Sequence, residues 1–221
     1  MLFRDRADAG RQLAEKLAHY ANRDDVVVLG LPRGGIPVAF EVAVALHAPL
    51  DVFVVRKLGV PWQQELAMGA IATGGIRILN EDVIRELRIT QQQLDLATAK
   101  ESRTLERNER RFRGDRAPLE LEDRVVILVD DGLATGSTMR AAVQALRRMK
   151  PQRLIVGVPV GASETCREFQ EEVDECVCVR TPEPFQAVGL WYEDFSQTTD
   201  EEVCELLERA GEGAVFSGDG G

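Results

Sequence analysis

The chain has 221 residues, 44% of them hydrophobic, which is enough to bury the core of one large domain. Its 27 Lys and Arg residues stand against 37 Asp and Glu residues, giving a net charge of −10. Such a chain repels nucleic-acid phosphates unless its basic residues are segregated, so no nucleic-acid partner is expected. No stretch approaches the ~18 apolar residues of a membrane span and the N-terminus lacks an apolar core, so we expect a cytoplasmic protein without a membrane partner.

The cysteines do not indicate a metal site. The chain has four cysteines and only two histidines, and the cysteines form no paired CxxC motifs, so a structural zinc site is not expected. Cys176 and Cys178 alternate with valines. This pattern favours free thiols that serve as small apolar side chains on one face of a strand.

The N-terminal part predicts a helix followed by a strand, a loop and a second helix. Asp8 is a candidate N-cap, and Leu13 and Leu17 recur at helical spacing after it. Residues 25–31 form a β-branched apolar run, which ends at the sequence PRGG. A helical pattern follows over 36–47.

The next part predicts a strand and a long connection. Residues 51–57 are again apolar and strand-like, and the mixture of Gly, Pro and polar residues over 58–70 indicates a long connection. Within and after it, MGAIATGG and IRILN are typical of two short strands joined by a Gly-Gly turn.

Residues 82–113 have a polar, charge-rich helical pattern, which we interpret as a helical insertion over 82–116. Arginines and glutamates alternate along it at spacings such as Glu106 to Arg110. A solvated helix with i,i+4 ion pairs explains this pattern, and a subunit contact in a homo-oligomer is the main competing interpretation.

The C-terminal half continues the alternation of strands and helices. The predicted strands and helices are a strand at 124–131, a helix after residue 138, a strand at 153–160, a helix from Ser163 to about Glu172 and a strand ending at Arg180. Thr199 and Glu202 form a capping-box pattern before a last helix.

This alternation predicts an α/β fold with a mostly parallel central sheet and helices on both faces. We expect a single domain over 1–210 that includes a small hood at 181–198. The composition of 211–221 predicts a flexible tail.

The segment VVILVDDGLATGSTM (125–139) combines carboxylates with a phosphate cradle. A buried strand delivers Asp130 and Asp131 into a short loop that opens a helix. Helix N-termini present unpaired N–H groups and the positive end of a dipole, so the backbone of 134–138 can hold a phosphate dianion. Thr135, Ser137 and Thr138 add hydroxyl donors and Gly136 permits close approach, while Ala134 begins the loop. The two carboxylates suit the vicinal hydroxyls of a sugar, so a ribose 5-phosphate fits both halves.

This segment resembles the signature of the type I phosphoribosyltransferases, which bind 5-phosphoribosyl 1-pyrophosphate (PRPP). The resemblance implies that Asp130 and Asp131 contact the ribose hydroxyls directly or through Mg²⁺, and that 134–138 holds the 5-phosphate. Mg²⁺ is then the expected cofactor. Neither GxxxxGK[ST] nor a GxGxxG after a strand occurs, so other nucleotide-binding folds lack their phosphate motifs here. An ordinary turn with two capping aspartates is the plain structural alternative.

Two further strand ends match the family. LPRGGIPVA (31–39) resembles the pyrophosphate loop, which implies that Arg33, Gly34 and Gly35 contact pyrophosphate. It also implies a cis peptide bond between Pro32 and Arg33. Arg56 and Lys57 occupy the position where the family supplies cations to pyrophosphate, and the segment 58–75 occupies that of a lid over the reaction. Arg33 and Lys57 are therefore candidate catalytic residues beside the acidic pair, and the alternative for 56–57 is a solvated strand end.

The acceptor is the least determined part of the prediction. The 6-oxopurine branch usually has an acidic residue where this chain has Ala134, which puts hypoxanthine or guanine in doubt as acceptor. The candidate hood residues are Phe185, Trp191 and Tyr192, which could stack on a planar heterocycle, and Glu193, which could accept a hydrogen bond from a ring amine. Packing of the hood is the alternative role of the aromatics. Glu65 is a conceivable acid or base, and a solvated loop residue otherwise.

The sequence therefore predicts an enzyme, a phosphoribosyltransferase that moves the phosphoribosyl group of PRPP to a nitrogen heterocycle such as a nucleobase, as in purine or pyrimidine salvage. Two alternatives stay open. One is a PRPP-sensing regulator on the same fold without turnover, and the other is a hydrolase of phosphoribosyl compounds. Fold alone does not decide among them.

Overall fold

The computed structural model describes residues 2–215 and is built on a five-stranded parallel sheet. The strand order is β2-β1-β6-β7-β8. The strands are β1 (Val26–Gly30), β2 (Leu50–Val52), β6 (Val125–Val129), β7 (Arg153–Val160) and β8 (Glu175–Arg180). This confirms the predicted α/β fold. The order reverses between β1 and β6, and in open α/β sheets ligands bind at the carboxyl ends of the strands beside such a switch point.

Helices cover both faces of this sheet, which explains why the inner strands β1 and β6 carry no polar side chain. Helices α1 (Arg6–Lys16), α2 (Gly35–Leu46) and α7 (Asp200–Val215) cover one face, and α5 (Ser137–Arg148) and α6 (Ser163–Glu172) cover the other. Along β1, Val26 and Val28 point to the first face, and Val27 and Leu29 point to the second. Successive strand residues alternate between faces, so a strand buried on both sides has no polar alternation.

A second, antiparallel sheet has the order β3-β4-β5. It consists of β3 (Val55–Val60), β4 (Gln63–Ala72) and β5 (Ile76–Leu79), and it packs against α3 (Glu81–Glu86) and α4 (Gln91–Arg113) through a cluster that includes Leu58, Met68 and Leu94. The expectation of a long connection over 58–70 was therefore wrong. Only Pro61 and Trp62 separate β3 from β4, and the polar residues of the segment fill the exposed end of this hairpin.

The segment 181–198, predicted as the hood, contains a 3₁₀ turn at Val188–Trp191 and no strand. The small sheet thus comes from 55–79. The aromatic residues of 181–198 bury themselves against the N-terminal residues, which sequence proximity could not indicate.

Local sequence chemistry explains the helix boundaries. Asp5, rather than Asp8, caps α1, because its carboxylate accepts the Asp8 amide N–H at 2.7 Å. The charged segment 82–113 is two helices, since Arg88 adopts φ 51° and Thr90 then starts α4 with a capping box completed by Gln93. Helix α7 continues to Val215, so 211–215 of the predicted tail is helical, and 216–221 lies outside the described residues.

The cysteine prediction was wrong for one of its two residues. Cys178 forms a disulfide with Cys166 of α6, whereas Cys176 is a free thiol. The strand pattern placed Cys176 and Cys178 on one face but could not show which helix covers it. Burial raises the pKa of the Cys176 thiol to about 11, so that thiol stays protonated and unreactive. No helix within residues 2–215 is long and apolar enough to cross a bilayer.

Candidate active site

Two adjacent carboxylates, Asp130 and Asp131, leave the end of β6 at the switch point of the parallel sheet. The Asp131 amide donates to Asp130 Oδ1 at 2.9 Å. Burial and the neighbouring Asp131 carboxylate raise the pKa of Asp130 well above its usual value. Burial also raises the pKa of Asp131, against the opposing charge of Arg6, whose Nε lies 2.9 Å from Asp131 Oδ2. A pair of buried carboxylates held this way is costly to the free protein and suits a ligand that satisfies it.

The loop 31–35 lies directly against this pair. The Leu31 amide donates to Val129 O at 2.9 Å, and the Pro32–Arg33 peptide bond is cis, as the family resemblance implies. A Cβ atom at Gly34 would overlap Asp131 Oδ2, and one at Gly35 would lie 2.9 Å from Asp130 Cα. Both glycines are therefore required for the close approach of the two strand ends.

Arg33 projects from this loop with a half-exposed side chain. Its Nη1 lies 3.7 Å from Asp200 Oδ1, a carboxylate that also pairs with Arg111. Such a long, solvated contact leaves the Arg33 guanidinium available to a more strongly charged anion.

The loop 134–138 provides an open helix N-terminus. Gly136 has φ 73° and precedes α5, which begins without a side-chain cap, so the first amide N–H groups of the helix are available to a ligand. The Ala134 carbonyl accepts the Thr165 hydroxyl at 2.8 Å, which anchors the loop to α6. Thr135, Ser137 and Thr138 are all exposed, and the hydroxyl oxygens of the first two lie 3.2 Å apart. Backbone amides and hydroxyls thus face one space, as an anionic ligand requires.

The two cations at the start of β3 are placed differently. Arg56 points to the helical insertion, where Nε and Nη2 lie 3.0 and 2.9 Å from Glu101 Oε2. Lys57 is exposed and its Nζ donates to the Glu65 carbonyl. Lys57 and Glu65 line a cavity of about 780 Å³ together with Ser137 and Thr138 of α5. The structure thus brings Lys57 to the helix N-terminus, whereas Arg56 pairs with α4 and lines a second cavity with Lys57 and Thr138.

Three of the four predicted acceptor residues lie in one cluster, which reaches Asp131 through Tyr192. Tyr192 is 5% exposed, its ring centroid lies 5.4 Å from that of Phe3, and its hydroxyl donates to the Asp131 carbonyl at 2.6 Å. Phe185 and Trp191 pack partly buried against the same cluster, whereas Glu193 is exposed. Tyr192 is therefore enclosed by protein and supports Asp131, so its ring offers no open face for a heterocycle.

Two residues near the acidic pair carried no signal in the sequence. Arg6 contacts Asp131 from 125 positions away in the chain. Val188 lies over Gly132 so closely that a Cβ atom at 132 would overlap its methyl groups. The only sequence feature that is consistent with this close approach is Gly132, which directly follows the two aspartates.

The raised pKa of Asp130 predicts an unusual effect of pH on stability. A carboxyl group whose pKa is higher in the folded than in the unfolded protein favours folding most below its usual pKa, and this contribution is lost as pH rises through the raised value. We therefore expect Asp130→Asn to be more stable than the wild type at pH 7, by about 0.5–2 kcal/mol in urea unfolding. The difference should fade below the ordinary carboxyl pKa of 3.8.

A matched control is Asp174, where the pKa is lowered. Burial acts to raise it, but the hydrogen bond from the Leu154 amide and the charge of Arg147 outweigh burial. Asp174→Asn should therefore be less stable than the wild type at pH 7. If Asp130→Asn and Asp174→Asn lowered the free energy of unfolding equally, the charged form of Asp130 would not be unfavourable in the folded protein.

An acidic pair, a glycine-bearing loop and an uncapped helix meet at the carboxyl edge of a parallel sheet, which is where open α/β folds form their ligand sites. The chain belongs to the phosphoribosyl transferase family, whose domain model, "Phosphoribosyl transferase domain", matches residues 3–193.

Individual proteins agree with this assignment. A protein of Mycobacterium tuberculosis named "Putative phosphoribosyl transferase" is 50% identical over 209 residues, which are 95% of this chain and 47% of that protein. The chain thus spans about half the length of such curated relatives. The crystal structure of TT1426 from Thermus thermophilus is 41% identical, with a TM-score of 0.83 over 95% of this chain and 99% of that one. "Bifunctional protein PyrR" of a Synechococcus species is 28% identical over 203 residues, 89% of both chains.

Proposed function

We propose that the chain transfers the 5-phosphoribosyl group of PRPP to a nitrogen heterocycle and releases pyrophosphate. The observation that carries this proposal is the close approach of the loop 31–35 to the acidic pair, because a Cβ atom at Gly34 or Gly35 would overlap or crowd Asp131 and Asp130. This proximity supports a site in which a sugar bound by the carboxylates and an anion bound by the loop belong to one small molecule.

Each part of PRPP has a proposed partner. Asp130 and Asp131 accept the ribose hydroxyls, and the loop 134–138 holds the 5-phosphate at the start of α5. The pyrophosphate group is assigned to the backbone of Gly34 and Gly35 and to cationic side chains. These cations are Arg33, Arg56 and Lys57. Lys57 lines the same cavity as Ser137 and Thr138, whereas Arg56 has to leave Glu101 before it reaches the ligand.

The proposed reaction needs no covalent bond between enzyme and substrate. It needs stabilisation of the pyrophosphate leaving group. The bond between the anomeric carbon and the pyrophosphate oxygen breaks, pyrophosphate keeps the electron pair, and the acceptor nitrogen forms the new bond and loses its proton. Arg33 and Lys57 neutralise charge that develops on pyrophosphate, and the loops orient the sugar for attack. Exclusion of water by the hairpin β3–β4 favours transfer over hydrolysis.

The acidic pair also fits Mg²⁺, the cofactor that the family resemblance implies. Two adjacent carboxylates are hard oxygen ligands. This suits an ion that takes one or two carboxylates and completes its shell with water and substrate phosphates. When bound, Mg²⁺ neutralises charge on the pyrophosphate oxygens.

The acceptor is proposed to bind against the outer surface of the segment 181–198. Phe185, Trp191 and Glu193 are the candidate contacts, while Tyr192 acts through its hydrogen bond to Asp131. An apolar surface there favours a planar heterocycle, because Leu190 remains 59% exposed beside the buried cluster.

The test is a measurement of pyrophosphate release from PRPP and Mg²⁺ with a panel of purine, pyrimidine and other nitrogen heterocycles. The proposal predicts release that depends on one acceptor and is absent without any. Release without an acceptor would indicate a hydrolase. PRPP binding without release by any member of a broad panel would favour a PRPP-sensing regulator.

A further inference from the structure

Arg6 is the one cation that contacts the acidic pair directly in the described residues, and the site assignment above does not use it. It is the first residue of α1, and its side chain is 12% exposed. Its Nε donates to Asp131 Oδ2 at 2.9 Å. The helix cap places it there, because Asp5 fixes the start of α1 beside the carboxyl edge of the sheet.

The Arg6 guanidinium is held on two further sides. Nη1 donates to the Ser196 carbonyl at 2.7 Å, and the guanidinium carbon lies 4.0 Å from the centroid of the Phe195 ring. Such stacking and hydrogen bonding fix the plane of the guanidinium and therefore the direction of the bond that it donates to Asp131.

The backbone of Asp131 is fixed by the same segment. The Tyr192 hydroxyl donates to the Asp131 carbonyl at 2.6 Å, and the Tyr192 ring lies 5.0 Å from that of Phe195. The side chain and the backbone of Asp131 are therefore held by two parts of the chain, α1 and residues 192–196, which themselves meet at Phe195.

We infer that Arg6 is a positioning residue for sugar binding: it fixes the Asp131 carboxylate through Oδ2 so that the other oxygen is presented to a ribose hydroxyl. The inference deepens the proposed function and depends on it. A carboxylate already oriented loses less side-chain entropy when the sugar binds, so Arg6 raises affinity without touching the ligand.

A purely structural ion pair is the competing explanation, since a buried pair is weak evidence for any particular role. A purely structural ion pair predicts that Arg6 changes the stability of the protein and not its PRPP affinity. A positioning residue changes PRPP affinity only while its partner carboxylate is present, whereas a third kind of residue, one that contacts the ligand itself, contributes independently.

A double-mutant cycle in PRPP affinity tests the inference. The proteins are the wild type, Arg6→Gln, Asp131→Asn and the double variant, each titrated with PRPP and Mg²⁺ in a calorimeter. We expect Arg6→Gln to weaken binding about tenfold and Asp131→Asn about 100-fold, on the scale of hydrogen bonds to charged groups. The double variant should bind no more weakly than Asp131→Asn alone.

Two control variants accompany the cycle. Arg6→Lys retains the charge but cannot reproduce the fixed guanidinium plane, so its affinity should lie between those of the wild type and Arg6→Gln, and it remains usable if Arg6→Gln unfolds. Arg4→Gln removes an exposed arginine that pairs with Asp8 and should leave PRPP affinity unchanged.

The outcomes separate this inference from the proposed function. Wild-type affinity in Arg6→Gln, or losses that add in the double variant, would overturn the positioning role while leaving the PRPP site intact. Absence of PRPP binding by the wild type would overturn the proposed function and the inference with it.

Discussion

Asp131→Asn is expected to weaken PRPP binding about 100-fold, because it removes the charge that we propose accepts a sugar hydroxyl and keeps the volume of the side chain. The amide keeps the shape of the carboxylate but not its charge, so the ion pair with Arg6, whose Nε lies 2.9 Å from Asp131 Oδ2 in the wild type, is lost without a change of packing. The fold should therefore persist. Calorimetric titration with PRPP and Mg²⁺ measures the change, and circular dichroism checks the fold.

The control for this variant is Asp25→Asn. Asp25 lies at the amino end of β1, at the opposite edge of the sheet, where it pairs with Arg23. Its replacement should leave PRPP affinity unchanged. If Asp131→Asn and the wild type bound PRPP with equal affinity, the assignment of the acidic pair to the ligand site would be wrong.

Asp51→Asn is expected to destabilise the protein by about 3 kcal/mol, because removing one partner of a buried ion pair leaves the other charge uncompensated. Asp51 is 5% exposed, and both of its oxygens accept bonds from Arg113 Nε, at 3.2 and 3.0 Å. The Val52 amide donates to the same carboxylate at 2.7 Å. This network fastens the end of α4 to the edge strand β2, and urea unfolding measures its contribution.

The matched control is an exposed ion pair. Lys150 and Glu122 lie 3.6 Å apart with side chains that are 77% and 68% exposed. Glu122→Gln should not change the unfolding midpoint measurably, since solvent screens such pairs. If Asp51→Asn were as stable as Glu122→Gln, the buried network would not anchor α4.

The parallel sheet was predictable because its strands carry a signal that is local in the sequence. Residues such as Val26 and Val125 belong to short β-branched runs that end at Gly- or Asp-bearing loops. A strand buried on both faces needs such a run. The loop that follows each run marks the carboxyl end of the strand, which is the edge of the sheet where ligands bind in open α/β folds. The family resemblance and the fold class, both confirmed, came from these runs and loops.

The hairpin β3–β4 was missed because its signal is not local. The first three residues of β4, from Gln63 to Glu65, are polar and show no alternation with apolar residues. The strand is defined instead by antiparallel pairing with β3 and by the apolar cluster that it shares with α3 and α4. Tertiary packing overrides weak strand propensity in such segments.

Contacts between distant residues were also beyond the sequence. Nothing near Arg6 indicates that it reaches Asp131, and nothing near Arg56 indicates that it pairs with Glu101. The fold creates both contacts by placing α1 and α4 beside the ends of strands. The pattern of a motif identifies the groups that bind, whereas the partners that orient them appear only in three dimensions.

The most direct test of the PRPP site is a calorimetric titration of the wild-type protein with PRPP, with Mg²⁺ and again with a chelator, and with pyrophosphate and ribose 5-phosphate as partial ligands. The account predicts saturable binding of one PRPP per chain that is stronger with Mg²⁺, and weaker binding of each partial ligand, since each satisfies only part of the site. Absence of PRPP binding under both conditions would contradict it.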